Sequence, residues 1–254
     1  MMIRSFALHD IPMNNVAAME RWYHRDHAPE IVRRYGPWLN RFECCLPVHA
    51  PTDAHTFGFY NWRMTEGWWR ELPEAGSESD LCFTPPPVWP RVAACFVPPQ
   101  PTDSFVVGDF LPLEKVGFRW LVLLRYPRGV SYDEGEDWFL RVHAPEVAAQ
   151  PGLLRFVSYR VVQGAGNVPG RWRPDTLPPA TQIRTSWDRV MELWYETFDD
   201  WRASVAAAAA TCTRPRWRTR DEYPFVEPFE GFASTFTLER PNDDFLRDLR
   251  GYVP

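Results

Sequence analysis

Trp22-Tyr-His-Arg-Asp-His-Ala-Pro-Glu30 recurs later in this chain as a second, similar stretch. That second stretch is Trp138-Phe-Leu-Arg-Val-His-Ala-Pro-Glu146. They share Trp, Arg, His, Ala, Pro and Glu at one constant spacing. Such internal repetition indicates that one structural unit occurs twice.

Shorter matches surround the two stretches. Arg4-Ser-Phe-Ala-Leu8 corresponds to Arg119-Trp-Leu-Val-Leu123, and Arg41-Phe42 corresponds to Arg155-Phe156. Further along, the sequence predicts a match of Trp62, Thr65, Trp69 and Arg70 to Trp194, Thr197, Trp201 and Arg202. Each half has the length of one domain, about 115 residues. We therefore predict a first repeat over residues 1–112 and a second over 113–254, which includes a C-terminal tail.

Composition restricts the function. The chain has 254 residues with 45% hydrophobic content, and its net charge of −5 gives no electrostatic basis for binding nucleic acid or an anionic membrane. No apolar stretch is long enough to cross a bilayer, and the N-terminus lacks a signal-peptide core. Five cysteines without a C-x-x-C pattern favour reduced thiols, and we expect a cytoplasmic protein.

Several catalytic motifs are excluded. The chain has one lysine, Lys115, in a loop-like context that fits neither Schiff-base chemistry nor a phosphate-binding loop. It has no G-x-S-x-G elbow, and its glycines lack the spacing of a dinucleotide-binding loop.

Hydrophobic periodicity and turn residues predict the element β-α-β-β-α-β in each half. The predicted strands are 2–11, 40–48, 56–64, 91–97, 117–126, 154–162, 188–197 and 231–239. The predicted helices are 16–27, 29–35, 65–72, one opened by the capping box Ser131-x-x-Glu134, and 198–211. Pro29 should end or bend the first helix at His27. Long Pro/Gly-rich loops are predicted at 72–90, 98–113 and 164–186.

A β-α-β-β-α-β unit with W-x4-H-A-P near the end of its first helix resembles the EthD-like branch of the dimeric α+β barrel superfamily. The resemblance implies an α+β fold in which two fused ferredoxin-like repeats pack their antiparallel sheets around a central cavity within one chain. Members of that superfamily include lyases, cyclases, isomerases, cofactor-free monooxygenases and haem enzymes, so the fold alone does not give the function.

The two copies of the first helix differ along one face. The first copy presents Trp22, Tyr23, Asp26 and His27 where the second presents Trp138, Phe139, Val142 and His143. A polar site therefore survives in the first half. His27, Asp26 and Tyr23 are the predicted catalytic residues, with His27 or Asp26 as base and Tyr23 as donor to a developing oxyanion.

Other interpretations remain open. His27 and His143 could instead cap a broken helix, and Asp26 could be solvated. His24-x-x-His27 could present two nitrogens to a metal, although no third ligand lies at a familiar spacing, and either motif histidine could be an axial haem ligand. We predict no cofactor and no metal.

The abundance of aromatic residues predicts a cavity that takes a planar substrate. The predicted substrate-binding residues are Trp22, Tyr60, Trp62, Arg125, His143 and Trp194. Trp62 and Trp194 would sandwich the ring, and Arg125 would pair with a carboxylate or phenolate.

The predicted function is a cofactor-independent lyase, dehydratase or cyclase that applies general acid/base chemistry to a small aromatic molecule in an apolar barrel cavity. The alternatives are a cofactor-free monooxygenase of an aromatic substrate and a non-catalytic binding protein. The sequence leaves open whether the fused pseudo-dimer forms a homodimer.

Overall fold

A computed structural model describes residues 2–72, 84–107, 117–162 and 182–249. Most of the three predicted long loops, together with Cys82 and Lys115, lies outside these ranges. The four cysteines within them are free and buried, namely Cys44, Cys45, Cys95 and Cys212.

Two sheets form the frame of the molecule. The first consists of β1 (Ile3–Asp10), β2 (Leu39–Cys45), β3 (Arg63–Trp69), β4 (Arg91–Val97), β8 (Gln182–Arg184) and β11 (Asp243–Asp244). Its order is β11-β2-β3-β1-β4-β8, and all neighbours are antiparallel except the pair β4–β8.

The second sheet is antiparallel throughout. It consists of β5 (Asp103–Phe105), β6 (Phe118–Leu124), β7 (Leu153–Arg160), β9 (Arg189–Tyr195) and β10 (Phe232–Thr237), in the order β10-β6-β9-β7-β5. The α+β class with two antiparallel sheets is therefore confirmed. Three edge strands do not follow the predicted boundary between residues 112 and 113. β5 precedes this boundary but belongs to the second sheet, whereas β8 and β11 follow it but belong to the first sheet.

Helices cover the outer faces of the sheets. They are α1 (Val16–Trp22), α2 (Ala28–Tyr35), α3 (Tyr132–Trp138), α4 (Ala144–Ala148), α5 (Phe198–Thr211) and α6 (Phe245–Leu249). The capping box at Ser131 is confirmed in part, because its hydroxyl accepts the N–H of Glu134. The helix over 198–211 is also confirmed, and Thr197 caps it.

The predicted break before Pro29 is wrong in detail. A π-helical turn, Tyr23–His27, joins α1 to α2, and the N–H of Ala28 bonds back to the carbonyl of Tyr23. The wider turn lets the chain continue as a helix past a proline that cannot donate a hydrogen bond. Phe139–His143 forms the same turn between α3 and α4, so the repeated motif encodes a π-turn.

The predicted strand 56–64 and helix 65–72 are also wrong. Thr52–Phe57 forms a short 3-10 helix, and the strand is Arg63–Trp69. This strand pairs on both sides, with β1 and β2, and its tryptophans and threonine suit a strand. The order within the described part of the first half is thus β-α-β-β-β-β, and its last strand, β5, joins the second sheet.

Strand pairing corrects the alignment of the two halves. Arg4 pairs with Trp68 in the first sheet, and its equivalent Arg119 pairs with Trp194 in the second. The equivalent of Trp194 is therefore Trp68, and the predicted match of Trp62 to Trp194 is wrong. The match of Arg41 to Arg155 is confirmed, since both guanidinium groups lie over these tryptophan rings, at 5.8 and 4.6 Å.

Four buried charges occupy the centre of the layer between the sheets, where the sequence predicts an apolar cavity. Each sheet contributes one arginine and one glutamate, in the pairs Arg4–Glu66 and Arg119–Glu192. The Arg4 guanidinium also lies 3.0 Å from Glu192, and Arg119 lies 4.0 Å from Glu66. We name these residues the central quartet. Buried charges are retained only when they are paired in this way.

Candidate active site

The repeated helix packs on the outer face of the first sheet. Trp22 and Tyr23 belong to a hydrophobic cluster that includes Met19, Cys44 and Trp62. The predicted catalytic residues therefore lie between helix and sheet, on the opposite side of the sheet from the central quartet.

His27 lies between two aromatic rings. Its ring stacks on Trp22 at 4.7 Å and lies 5.2 Å from the ring of Tyr23. Burial, together with the nearby cation of Arg63, lowers the pKa of His27 to about 4. The imidazole is neutral at pH 7 and partly exposed, so it can accept a proton from a ligand.

Tyr23 supplies a buried hydroxyl. The side chain is 1% exposed, and within the described residues its hydroxyl has no hydrogen-bond partner. Burial raises the pKa of Tyr23 well above its usual value, so the hydroxyl stays protonated. An unpartnered buried donor is costly, as expected of a group kept for a ligand.

Asp26 lies nearer the surface. Its carboxylate is partly exposed, and it makes no hydrogen bond or ion pair with any residue that the structure describes. Its role as a base stays a prediction, and the geometry favours His27 for that role.

A second histidine, His9 on β1, was not predicted. Its ring packs edge-on against Trp62 at 5.9 Å, and its Nε2 lies 3.5 Å from the Thr65 hydroxyl. Burial, together with smaller contributions from His27 and Arg63, lowers the pKa of His9 to about 3. The equivalent residue in the second half is Leu124, so the polarity of this site extends from the helix to the strand.

Arg63 is the buried cation beneath this cluster. Its guanidinium lies 4.0 Å from the centre of the Tyr23 ring and donates to Glu20 at 2.6 Å. Glu20 also accepts the indole N–H of Trp62, at 2.7 Å. In the second half, Arg189 donates to Glu136 in the same way, at 2.7 and 2.8 Å. This ion pair, also unpredicted, attaches the repeated helix to β3 in the first half and to β9 in the second.

The equivalent site in the second half is enclosed. His143 is 2% exposed, and its ring is stacked between Trp138 at 4.5 Å and Tyr223 at 6.2 Å. Phe139 replaces Tyr23 and is fully buried. The two copies therefore differ in one hydroxyl and in the exposure of the motif histidine, since His27 is partly exposed and His143 is buried. The capping interpretation finds no support for either histidine, since neither side chain caps the following helix.

The neutral buried histidines make stability depend on pH. Burial lowers the pKa of His143 from 6.5 to about 3, so between these values the unfolded chain binds a proton that the folded chain does not. We expect the free energy of unfolding to fall as the pH drops from 6.5 to 4, by up to about 1.4 kcal/mol per pH unit for this residue. Denaturant unfolding at several pH values should show a shallower fall in His143→Phe. An equal slope in both proteins would contradict the assignment.

The remaining predicted ligand-binding residues do not converge on one cavity. Trp62 packs on the helix side of the first sheet, whereas Tyr60 and Trp194 lie in the core between the sheets. The Trp22 indole donates to the carbonyl of Thr84. Arg125 lines a separate groove of about 320 Å³ with Arg128 and Arg184.

No metal centre is evident in the described ranges. No three His, Cys, Asp or Glu side chains there converge as metal ligands. His24 is exposed and lies 3.3 Å from Glu20 instead.

No described helix combines the length and apolar character needed to cross a membrane.

One protein-family model matches part of the chain. Residues 1–83 match the family model of the chalcone isomerase N-terminal domain. The match covers a minority of the chain and is confined to the first half. Among proteins of curated function, none matches this sequence.

Solved structures show a distant likeness. A mutant chlorite dismutase from Candidatus Nitrospira defluvii, in complex with cyanide, has 9% identity over 100% of this chain and 95% of its own, with a TM-score of 0.42. An anthrone oxidase-like protein has 9% identity over 93% of this chain and 90% of its own, with a TM-score of 0.43. The dimeric α+β barrel superfamily and its EthD-like branch both stay predictions.

Proposed function

We propose that this chain is an acid/base enzyme that closes or opens a ring in a phenolic α,β-unsaturated ketone, at the cluster formed by Tyr23, His27 and Arg63. The single observation that carries the proposal is the divergence of the two copies. One copy has a partly exposed histidine, an unpartnered hydroxyl and a second histidine, where the other has an enclosed His143, Phe139 and Leu124.

The family match supports the reaction class. A chalcone isomerase, by its name, isomerises a chalcone, which is an α,β-unsaturated ketone between two aromatic rings. The matched residues 1–83 contain Tyr23, His27 and Arg63 and none of their equivalents in the second half. Ring closure of this kind belongs to the addition, elimination and cyclisation chemistry that the sequence predicts.

Each step has a residue in the cluster. Neutral His27 takes the proton of the phenolic hydroxyl as its oxygen bonds to the β-carbon. The electron pair of the double bond moves to the ketone oxygen, which accepts a hydrogen bond from Tyr23 near the Arg63 cation. Protonated His27 then returns the proton to the α-carbon, so the reaction has no net change in protons or electrons.

The lowered pKa of His27 suits the second of these transfers. An imidazolium whose pKa is about 4 gives up its proton to the α-carbon more readily than an imidazolium with the ordinary pKa of 6.5. The lowered pKa also keeps His27 neutral, and therefore able to act as a base, at any pH well above 4.

Loss of the enone absorbance of an ortho-hydroxychalcone measures this function. We expect the purified protein to accelerate ring closure and to leave the methyl ether of that compound, which lacks the phenolic proton, unchanged. His27→Gln should lower turnover at least about 100-fold while the protein stays folded.

The same assay separates the alternatives. Oxygen consumption coupled to turnover would replace the proposal with a monooxygenase. Saturable binding without conversion would instead identify a binding protein.

A further inference from the structure

A groove of about 490 Å³ opens at the end of β1, on the face of the first sheet opposite His27. Its walls include Asp10, His55, Phe59, Trp89, Arg91 and Phe229. We name it the Asp10 groove. Its volume is typical of small-molecule sites, and its walls combine aromatic rings with charged and polar side chains.

The polar groups of this groove are held in place. The side chain of Asn61 bonds to both the N–H and the carbonyl of Ile11, at 3.2 and 3.0 Å. The Asp10 carboxylate accepts a hydrogen bond from the backbone N–H of Asn61. Burial raises the pKa of Asp10. The Arg91 guanidinium lies 3.7 Å from Asp10 and 4.5 Å from the centre of the Phe229 ring. A rigid carboxylate acceptor therefore lies beside an aromatic wall.

Phe229 reaches this wall with a strained backbone. Its φ is +64°, a left-handed conformation that is rare for a bulky side chain. Gly58, itself at φ +59°, allows the approach, because a Cβ there would lie 2.8 Å from the Phe229 nitrogen. Strain of this kind clusters at ligand sites, and here it leaves an aromatic ring partly exposed at the groove.

The pseudo-equivalent groove of the second half is more positively charged. Its lining has three arginines and two glutamates, whereas Asp10 and Arg91 balance each other in the Asp10 groove. Arg125 replaces Asp10 and Arg128 replaces Met13, which is 69% exposed at the rim of the Asp10 groove. The two grooves therefore differ in the ligands that they suit, and the Asp10 groove suits a neutral aromatic donor.

We propose that the Asp10 groove is a second binding site, for a planar aromatic phenol. The ring packs against Trp89 and Phe229, and the phenolic hydroxyl donates to the Asp10 carboxylate. The proposal does not depend on the chemistry proposed at His27.

Calorimetric titration with β-naphthol tests this site. We expect saturable binding of one molecule per chain. The methyl ether of β-naphthol, which lacks the donor, should bind at least about ten-fold more weakly, because a hydrogen bond to a charged group is lost.

Two variants locate the binding. Phe229→Gly adopts the left-handed backbone without strain, so it should keep the thermal stability of the protein and abolish binding. Asp10→Asn should weaken β-naphthol about ten-fold and leave the methyl ether unchanged. Arg128→Ala, in the other groove, and His27→Gln should bind as the parent does.

Failure of β-naphthol to saturate would overturn the proposal, as would parental affinity in both Phe229→Gly and Asp10→Asn. Weaker binding in His27→Gln would place the ligand at the first site instead. Loss of ring-closing activity in that variant, with β-naphthol binding retained, would show that the two sites are independent.

Discussion

Replacing Glu192 by alanine is expected to lower the free energy of unfolding by about 3–5 kcal/mol. Glu192 lies 3.0 Å from Arg4 and 3.4 Å from Arg119, and all three side chains are buried between the sheets. Without it, two arginines share the single carboxylate of Glu66. Denaturant unfolding at neutral pH, followed by tryptophan fluorescence, measures the loss.

Glu196→Ala is the matched control. Glu196 follows the same strand, is exposed, and is expected to change stability by less than about 0.5 kcal/mol. If Glu192→Ala lost no more than this control, the central quartet would not hold the sheets together. A partial rescue by Arg119→Met in the Glu192→Ala background is expected, because it removes one of the unpaired charges.

Replacing Tyr23 by phenylalanine should separate function from stability. The variant keeps the ring under the Arg63 guanidinium and removes only the hydroxyl, which has no partner among the described residues. We expect turnover of an ortho-hydroxychalcone to fall about 100-fold, as for the loss of one oxyanion donor. Thermal unfolding should show stability that is unchanged or slightly higher, because a buried unsatisfied group is gone.

Much of the fold could be predicted from the repeat. The paired W-x4-H-A-P motifs indicated two repeats, and the strands predicted at 2–11, 91–97 and 117–126 correspond to β1, β4 and β6. The third strand of the first half could not be located in this way. Arg63–Trp69 is buried on both faces and lacks alternation, and the shared tryptophans suggested a register that only strand pairing corrects.

The candidate site was predictable where the two copies could be compared within one helix. Tyr23 and His27 emerged from that comparison because the motif aligns without gaps. His9 offered the same signal, since it follows the aligned stretch Arg4–Leu8 and corresponds to Leu124. Arg63 and Thr65 gave no such signal, because they reach the site through a strand whose register the sequence did not reveal.

The central quartet shows a different limit. Arginine and glutamate in a strand normally indicate an exposed face. Here the arginine of each sheet lies near the glutamate of the other sheet, so the buried charges are paired between the sheets. The sequence of a single strand does not reveal such a pairing.

The most direct test of the divergence between the two copies compares Tyr23→Phe with Phe139→Tyr, its mirror substitution in the closed copy. We expect kcat on an ortho-hydroxychalcone to fall about 100-fold in Tyr23→Phe and to stay at the parental value in Phe139→Tyr. Equal loss in both variants, or none in Tyr23→Phe, would contradict the assignment of the chemistry to the first half.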